Sequence, residues 1–286
     1  MRVTLLTCAE LPALTPDDEL LAVALRAHGV SVDVQPWAAY LEGGPGDVAV
    51  FRSTWDYHLA FEHFASWLAK AEQQGVCLLN TPGLVRWNAN KAYLGDLAAA
   101  GVALPPTEWL DAPDEGRVAL ALAMRGWPRA VLKPRVSASA HGTIVVTPGM
   151  VLPRDAMAPL RGHGALLQRF VDEIEHDGEL SLVFFDGVYS HAVLKRPREG
   201  DFRVQQEFGG TDTAVTPPPG TVAFGERVLA LCRGVPTYAR VDLVTTPEGP
   251  VLMELELIEP MLYLGCAPGA ADRFARAILA RARARG

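Results

Sequence analysis

The chain has 286 residues, of which 49% are hydrophobic and 21% charged, and its formal net charge at pH 7 is −7. This length exceeds what one compact domain usually needs and predicts two or three lobes, while the acidic balance argues against a nucleic-acid partner, which needs a basic patch. The sequence lacks the run of about 18 uncharged apolar residues that a membrane span needs, and its four scattered cysteines are typical of reduced thiols in a cytoplasmic protein.

The first 110 residues alternate short apolar runs with amphipathic stretches. The predicted strands are 2–6, 30–36 and 48–51, and the predicted helices are 17–28 and 61–74. Strands and helices that alternate at this spacing favour a parallel sheet. Ligands of such sheets bind beyond the carboxyl ends of the strands, so the loops after the first and third strands are where substrate residues are expected.

The loop after the third strand is dense in polar and aromatic side chains and reads FRSTWDYH over residues 51–58. We interpret it as a substrate loop in which Arg52 would bind a carboxylate and Asp56 an amine, with Ser53 beside them. The alternative is a well-packed surface loop without a binding role.

The pattern changes from strand–helix alternation to hairpins after residues 109–116, a segment with Pro and acidic residues that we interpret as a linker. The predicted strands that follow are 130–133, 143–147, 165–171, 180–185 and 188–195, and the last predicted helix is 270–283. Small residues at 137–142 predict a loop between the first two of these strands. The Asp186-Gly187 dipeptide between the last two is typical of a type I′ hairpin turn.

The most specific signal is a pair of strands near the C-terminus, which read TYARVDLV and VLMELELI. Side chains alternate between the two faces of a strand, and matching the two apolar faces fixes the parity of the pairing. One register with this parity sets Asp242 opposite Glu254 and Arg240 opposite Glu256. Adjacent carboxylates repel, and a hard divalent cation such as Mg²⁺ removes that penalty. The alternative is a solvent-facing edge that Arg240 partly neutralises.

Two of the four lysines stand where a phosphate group could be bound, in a chain that has 22 arginines. Lys133 ends a strand and is followed by SASAHG, whose small residues let backbone amides approach an anion. Lys91 stands at the head of a predicted helix at 92–100, and a helix N-terminus favours anions. Each lysine taken alone is also compatible with an ordinary surface residue. The P-loop pattern is absent from the sequence, which excludes that type of phosphate site.

The order of these motifs resembles the ATP-grasp superfamily: Asn90-Lys91, VLKP with its small-residue loop, LLQRFV, GDFR, RVDL and MELE. The resemblance covers about residues 85–265. It implies an α/β fold with a parallel-sheet N-terminal domain at 1–110, a small central lid domain at 111–168 and an antiparallel-sheet catalytic domain at 169–286. Within the superfamily, FRSTWDYH and ELELIEP most resemble the D-cycloserine-forming cyclo-ligases and related bacterial proteins. Glu256 replaces an Asn of many members, which bears on whether Mg²⁺ or Mn²⁺ is preferred.

The resemblance also implies roles for individual residues. The residues expected to contact ATP are Lys91, Lys133, Ser139, His141, Gly142, Gln168, Val171, Glu173 and Glu179. Those expected to hold Mg²⁺ are Asp242, Glu254 and Glu256. Lys195 and Arg203 are expected to face the transferred phosphoryl group and the acyl phosphate, and Arg240 is a candidate, with Arg203, for stabilising the tetrahedral intermediate. In the first set the lysines would bind phosphates and the loop at 137–142 would cover them. Gln168 and Val171 would line the adenine pocket, and one of the two glutamates would lie near the ribose.

These motifs predict a magnesium-dependent ligase that activates a carboxylate as an acyl phosphate and joins it to a nitrogen, with release of ADP and phosphate. When both groups belong to one amino-acid-like molecule, the enzyme is a cyclo-ligase. The alternatives are a small-molecule kinase that releases the phosphorylated product and a nucleotide-binding module without catalysis. The expected partners are ATP and a small carboxylate or amine substrate, with no nucleic acid and no membrane, and a homodimer is left open.

Overall fold

The computed structural model describes residues 1–153, 156–160, 162–198, 200–204 and 208–284. Strands in this part of the chain form sheets of four, five and four strands. The gaps fall within the predicted lid and catalytic domains. Within the described ranges, every helix is too short or too polar to cross a bilayer.

The N-terminal sheet is parallel, as predicted, with strand order β2-β1-β3-β4. Its strands are β1 (Arg2–Thr7), β2 (Ser31–Pro36), β3 (Val48–Phe51) and β4 (Leu78–Leu79). The helices of this region are α1 (Pro16–Ala27), α2 (Trp37–Tyr40), α3 (Phe61–Gln73), α4 (Pro82–Asn88) and α5 (Tyr93–Ala99). The predicted strands and long helices are confirmed to within about two residues at each end, the usual uncertainty of element boundaries.

Helix α1 begins where its sequence supplies a cap. Thr15 is extended, and its hydroxyl accepts a hydrogen bond from the backbone N–H of Asp18, while Pro16 occupies the first turn. Leu21 and Leu25 bury the inner face in a cluster that includes Phe274 near the C-terminus. The helix therefore joins the N-terminal sheet to the last part of the chain.

A second sheet, which we call the lid sheet, is antiparallel with strand order β5-β8-β6-β7. Its strands are β5 (Thr107–Leu110), β6 (Ala130–Pro134), β7 (Ile144–Val146) and β8 (Ala165–Arg169), and α6 (Glu115–Arg125) lies between the first two. The linker predicted at 109–116 was therefore wrong at its start, because Trp109 pairs with Leu166 at the edge of this sheet. Strand β5 has only four residues, all of them half-buried, and it follows a Pro-Pro pair. Its hydrophobic pattern is therefore too short to predict a strand from the sequence.

The third sheet is antiparallel with strand order β11-β10-β9-β12-β13. Its strands are β9 (Glu179–Phe185), β10 (Val188–Arg196), β11 (Thr211–Val215), β12 (Tyr238–Thr246) and β13 (Gly249–Glu256). The helices here are α7 (Glu173–His176), α8 (Pro219–Ala230) and α9 (Ala270–Arg283). The turn between β9 and β10 has positive φ at Asp186 and Gly187, 52° and 77°, which confirms the predicted hairpin turn. Neither β11 nor α8 was predicted.

Both faces of this sheet are covered at its centre. Val183 and Phe185 of β9 pack in the cluster that contains α1 and α9, whereas Leu182 and Phe184 pack in the cluster that contains α5 and α8. Because successive side chains alternate between faces, one strand contributes to both cores. The charged residues of β12 and β13 near the lid sheet are thereby held on a rigid base.

Candidate active site

One large cavity lies between the lid sheet and the third sheet, with a volume of about 260 Å³. Its walls come from β6 and β8 on one side and from β10, β12 and β13 on the other. The predicted site residues that line it are Lys91, Lys133, Ser139, Gln168, Val171, Glu179, Lys195, Arg203, Arg240, Asp242, Glu254 and Glu256. The fold thus brings together side chains that lie up to 165 residues apart in the chain.

The acidic hairpin has the register that strand parity predicted. Arg240 pairs with Glu256 and Asp242 with Glu254. Val241, between them, is fully buried, so the apolar face is core and the charged face points to the cavity. A β-bulge follows Asp242 and shifts the register of the remaining pairs.

The carboxylates of this hairpin are engaged by cations of the protein. Arg240 donates to Asp242 at 2.9 Å and also bonds to Glu256. Burial alone would raise the pKa of Asp242, but the charges of Arg240 and of Lys195, which lies 3.1 Å away, lower it. Burial raises the pKa of Glu256 to about 7. The predicted metal carboxylates do not form a compact trio, since the described residues contain only one cluster of three ligand atoms within 4.8 Å, made by Cys8, Glu10 and Asp56.

Lys195 belongs to this network. Its ammonium lies 2.5 Å from a carboxylate oxygen of Glu179 and 3.1 Å from Asp242. These two carboxylates raise the pKa of Lys195 against the opposing effect of burial, which keeps the ammonium charged. Glu179, expected near a ribose, therefore has its carboxylate committed to Lys195 in this structure, and Glu173 does not line the cavity.

Lys91 connects three parts of the site. Its ammonium donates to the backbone oxygen of Ser137 at 2.8 Å and forms an ion pair of 2.9 Å with Glu254. Lys133 differs, because its ammonium has no ion pair or hydrogen bond among the described residues. Burial lowers the pKa of Lys133, the charge of Glu254 opposes that effect, and the charge of Lys91 adds to it. A half-buried ammonium without a direct ion pair leaves a positive charge facing the cavity, so this part of the cavity favours an anionic ligand.

The loop at 137–142 lies beside these lysines and has an unusual backbone. Ser139 and Ala140 have φ of 49° and 55°, and both line the cavity. Gly142 has φ of 71°, and a Cβ at that position would lie 2.7 Å from Cβ of Pro159. His141 and Gly142 do not line the cavity, and His141 is exposed. The part of the predicted phosphate loop that faces the cavity is therefore its first four residues, 137–140.

The far end of the cavity is apolar and contains one polar group without a protein partner. Val131, Phe170 and Val171 are among its walls and belong to one apolar cluster. Gln168 is 1% exposed and donates through Nε2 to Thr107 Oγ1 at 3.1 Å. Its Oε1 is buried and has no hydrogen-bond partner among the described residues. An apolar slot with an unused acceptor suits a flat ring that carries an amino group.

Arg203 lines the cavity at its more exposed side. Its guanidinium bonds to Asp201 at 2.8 Å and stacks 3.8 Å from the ring of Phe208. The pKa of Asp201 falls to about 2, chiefly through this hydrogen bond. Unlike Arg240, this arginine is only partly buried, which leaves its position free to adjust to a ligand.

The substrate residues predicted in the N-terminal loop do not reach the cavity. Arg52 is 2% exposed and is held by Asp18 of α1 at 2.7 Å. Ser53 is fully buried, and Asp56 accepts a hydrogen bond of 2.7 Å from Trp37. The expectation that Arg52 meets a substrate carboxylate is corrected by this geometry, because a carboxylate of the protein already neutralises its charge. Sequence alone does not reveal a partner 34 residues away.

Other residues line the cavity that the sequence did not single out. Trp55 and Tyr57 come from the same N-terminal loop, and Glu259 follows β13. Trp55 Nε1 donates to the backbone oxygen of Glu259 at 3.1 Å. Both Trp55 and Glu259 stand in the motifs FRSTWDYH and ELELIEP, which were the available signal.

Known proteins resemble the chain over almost its whole length. The family model for the N-terminal domain of D-cycloserine synthetase DcsG matches residues 3–80. The cycloserine biosynthesis protein DcsG of Streptomyces lavendulae is 32% identical over 282 residues, which cover 91% of this chain and 92% of that protein. The crystal structure of D-cycloserine synthetase DcsG matches with a TM-score of 0.85 and 29% identity over 99% of this chain and 100% of that one. A RimK domain ATP-grasp protein of Sphaerobacter thermophilus matches in fold, with a TM-score of 0.69 and 21% identity over 98% and 100% of the two chains. The predicted fold class and the resemblance inferred from sequence are confirmed.

Proposed function

Since this chain belongs to the ATP-grasp ligase family of D-cycloserine synthetase DcsG, we propose that it uses Mg²⁺ and ATP to activate the carboxylate of an amino-acid-like substrate as an acyl phosphate. Membership makes it an ATP-dependent carboxylate–amine ligase. The metal, the acyl phosphate and the choice of substrate are the proposed parts.

The observation that carries the proposal is the cavity with cations at one corner and an apolar slot at the other. Lys133 offers a half-buried ammonium without a direct ion pair among the described residues, and Lys91 also lines the cavity and donates to Ser137 of the loop at 137–142. The unused Oε1 of Gln168 lies in the apolar slot and would accept a hydrogen bond from the adenine amino group. This polarity pattern matches ATP, which joins a flat aromatic ring to a triphosphate.

The donor chemistry of three cavity carboxylates fits a divalent cation, although in this structure they stand apart and are paired with cations of the protein. Asp242, Glu254 and Glu256 supply only oxygen atoms, the ligand type that Mg²⁺ prefers, and Mg²⁺ is commonly held by few carboxylates together with substrate phosphates. Bound there, Mg²⁺ would neutralise the charge that builds up on the phosphates during transfer. When the nucleotide binds, the ammonium of Lys91 would leave Glu254 and pair with a phosphate oxygen instead.

The protein groups around the hairpin would then serve the transfer. The substrate carboxylate attacks the γ-phosphorus and ADP leaves, after which a nitrogen attacks the acyl carbon and phosphate leaves. Arg240, which is held in place, and Arg203, which can adjust to the ligand, would stabilise the charge on the oxygens of both transition states. Lys195, kept charged by Glu179 and Asp242, would add a third cation. The loop at 137–142 would exclude the water that otherwise hydrolyses an acyl phosphate.

We further propose an intramolecular reaction, in which the carboxylate and the nitrogen belong to one molecule. The relatives named for cycloserine support this reading.

A coupled ADP-release assay over amino acids, dipeptides and ureido or aminooxy amino acids tests the proposal. At least one acid should release ADP together with phosphate and an amide, and Glu254→Gln should abolish release while the fold and ATP binding remain. Glu248→Gln, on the exposed turn of the same hairpin, is the control and should keep full turnover. A stable phosphorylated product without an amide would contradict the ligase and favour a kinase. Unchanged turnover of Glu254→Gln would remove that carboxylate from the mechanism.

A further inference from the structure

Glu259 differs from four other acidic side chains in the cavity wall. Asp242, Glu179, Glu254 and Glu256 each have a lysine or arginine of the protein within ion-pair distance. Within the described ranges, Glu259 has no such partner, although its side chain lines the same cavity and is only partly exposed. Its own backbone N–H is the hydrogen-bond donor that acts on its carboxyl group. A carboxylate that faces a cavity without a protein cation is suited to a cation brought by a ligand.

The backbone that carries Glu259 is held by side chains from other elements. Trp55 Nε1 donates to the oxygen of Glu259 at 3.1 Å, and Arg52 Nη2 donates to the oxygen of Pro260 at 2.7 Å. The hydroxyl of Tyr238 donates to the oxygen of Ile258 at 2.8 Å. Three consecutive carbonyl groups are thus fixed by buried or half-buried donors. The N-terminal loop that the sequence assigned to substrate therefore acts in part by holding this segment.

The surroundings of Glu259 favour an organic cation. Trp55 and Tyr57 line the cavity beside it, and aromatic faces attract ammonium groups. Lys91 is the lysine whose charge acts on Glu259, and that charge is already shared with Glu254 and with Ser137.

From this geometry we infer that Glu259 binds the ammonium group of the substrate and makes the enzyme selective for free amino acids over acids that lack that group. The inference rests on the proposed function, because it concerns the substrate of the same site. Burial and the nearby Glu256 raise the pKa of Glu259 to about 8, and an ammonium group in contact with it would offset both effects. The carboxylate to be activated would then point away from Glu259, toward Arg240 and Lys195.

The test compares paired substrates in wild type and in Glu259→Gln. ADP release is measured with O-ureido-D-serine and with other free amino acids, each beside its α-N-acetyl counterpart. Wild type should use the free amino acid at least 10-fold better, and Glu259→Gln should raise KM for it by about 10- to 100-fold, the range expected for a hydrogen bond between charged groups. The Kd for ATP, measured by titration calorimetry, should stay unchanged. Glu226→Gln on the exposed face of α8 is the charge-matched control and should behave as wild type.

Two further variants separate recognition from folding. Glu259→Asp keeps the charge on a shorter stem and should recover part of the affinity for the amino acid. Trp55→Phe removes the donor to the Glu259 oxygen and should raise KM by less than Glu259→Gln does, with the Kd for ATP retained. An active Glu259→Gln with an unchanged KM, or equal use of acetylated and free acids by wild type, overturns this inference alone. ADP release with none of the acids overturns the proposed function, and the inference falls with it.

Discussion

Replacing Asp18 by Asn should destabilise the protein by about 3–5 kcal/mol, the cost of removing one partner from a buried ion pair. The side chains of Asp18 and Arg52 are 4% and 2% exposed and lie 2.7 Å apart. The hydrogen bond from Arg52 to the Pro260 oxygen persists in the variant, but a backbone carbonyl does not neutralise a guanidinium. Asn is isosteric, so packing and the Thr15 cap of α1 are retained. The loss therefore reports the charge of Asp18.

The assay is urea unfolding followed by circular dichroism and tryptophan fluorescence. The control is Glu72→Gln, which breaks an ion pair of 2.9 Å with Arg86 whose side chains are about half exposed. It should change the free energy of unfolding by less than about 1 kcal/mol, as surface pairs do. If Asp18→Asn costs no more than this control, the buried pair is not a structural anchor. A stable variant that loses affinity for a carboxylate substrate would restore Arg52 as a substrate residue.

Three further outcomes are expected. Lys133→Met should weaken ADP binding by about 10- to 100-fold in titration calorimetry without lowering the free energy of unfolding, because it removes a half-buried ammonium that has no ion pair or hydrogen bond among the described residues. Unchanged ADP affinity would contradict the phosphate role. Gly142→Ala should lower the rate of ADP release and lower the free energy of unfolding by about 1–2 kcal/mol. The backbone of Gly142 has φ of 71°, which strains an alanine, and the added Cβ would clash with Pro159. Turnover equal to that of wild type would contradict this reasoning. His58→Asn should flatten the loss of stability in urea melts between pH 6.5 and 4, because burial first, and then His141 and Lys91, lower the pKa of His58 to about 4. Protonation below the unfolded value of 6.5 favours the unfolded chain, so the neutral ring stabilises the fold above that pH, and an identical pH profile for the variant would refute this reading.

The acidic hairpin could be predicted in detail because its information is local. Alternation has a period of two, and one face of each strand is apolar, so only registers of one parity keep Val241 and Leu255 in the core. The parallel N-terminal sheet followed from the same kind of pattern, since strands and helices alternated with turn residues between them. The motifs that carried the resemblance lie on these elements.

What the sequence did not reveal depends on contacts between distant residues. Arg52 was expected to bind a substrate carboxylate, yet Asp18, 34 residues away in the chain, holds it. Glu259 was not singled out from the sequence, and only the fold places it in the cavity wall without an ion-pair partner among the described residues. The same limit applies to Glu179, whose partner Lys195 lies on the neighbouring strand. Charge pairing at long range has no sequence period, so it must be read from structure.

The central claim is that a carboxylate oxygen of the substrate attacks the γ-phosphorus of ATP. It is tested most directly by labelling both carboxylate oxygens of an acid that supports ADP release with oxygen-18 and analysing the released phosphate by mass spectrometry. Passage through an acyl phosphate predicts one labelled oxygen in each phosphate and one left in the amide product. Unlabelled phosphate, with both labelled oxygens still on the substrate carbon, would contradict the account.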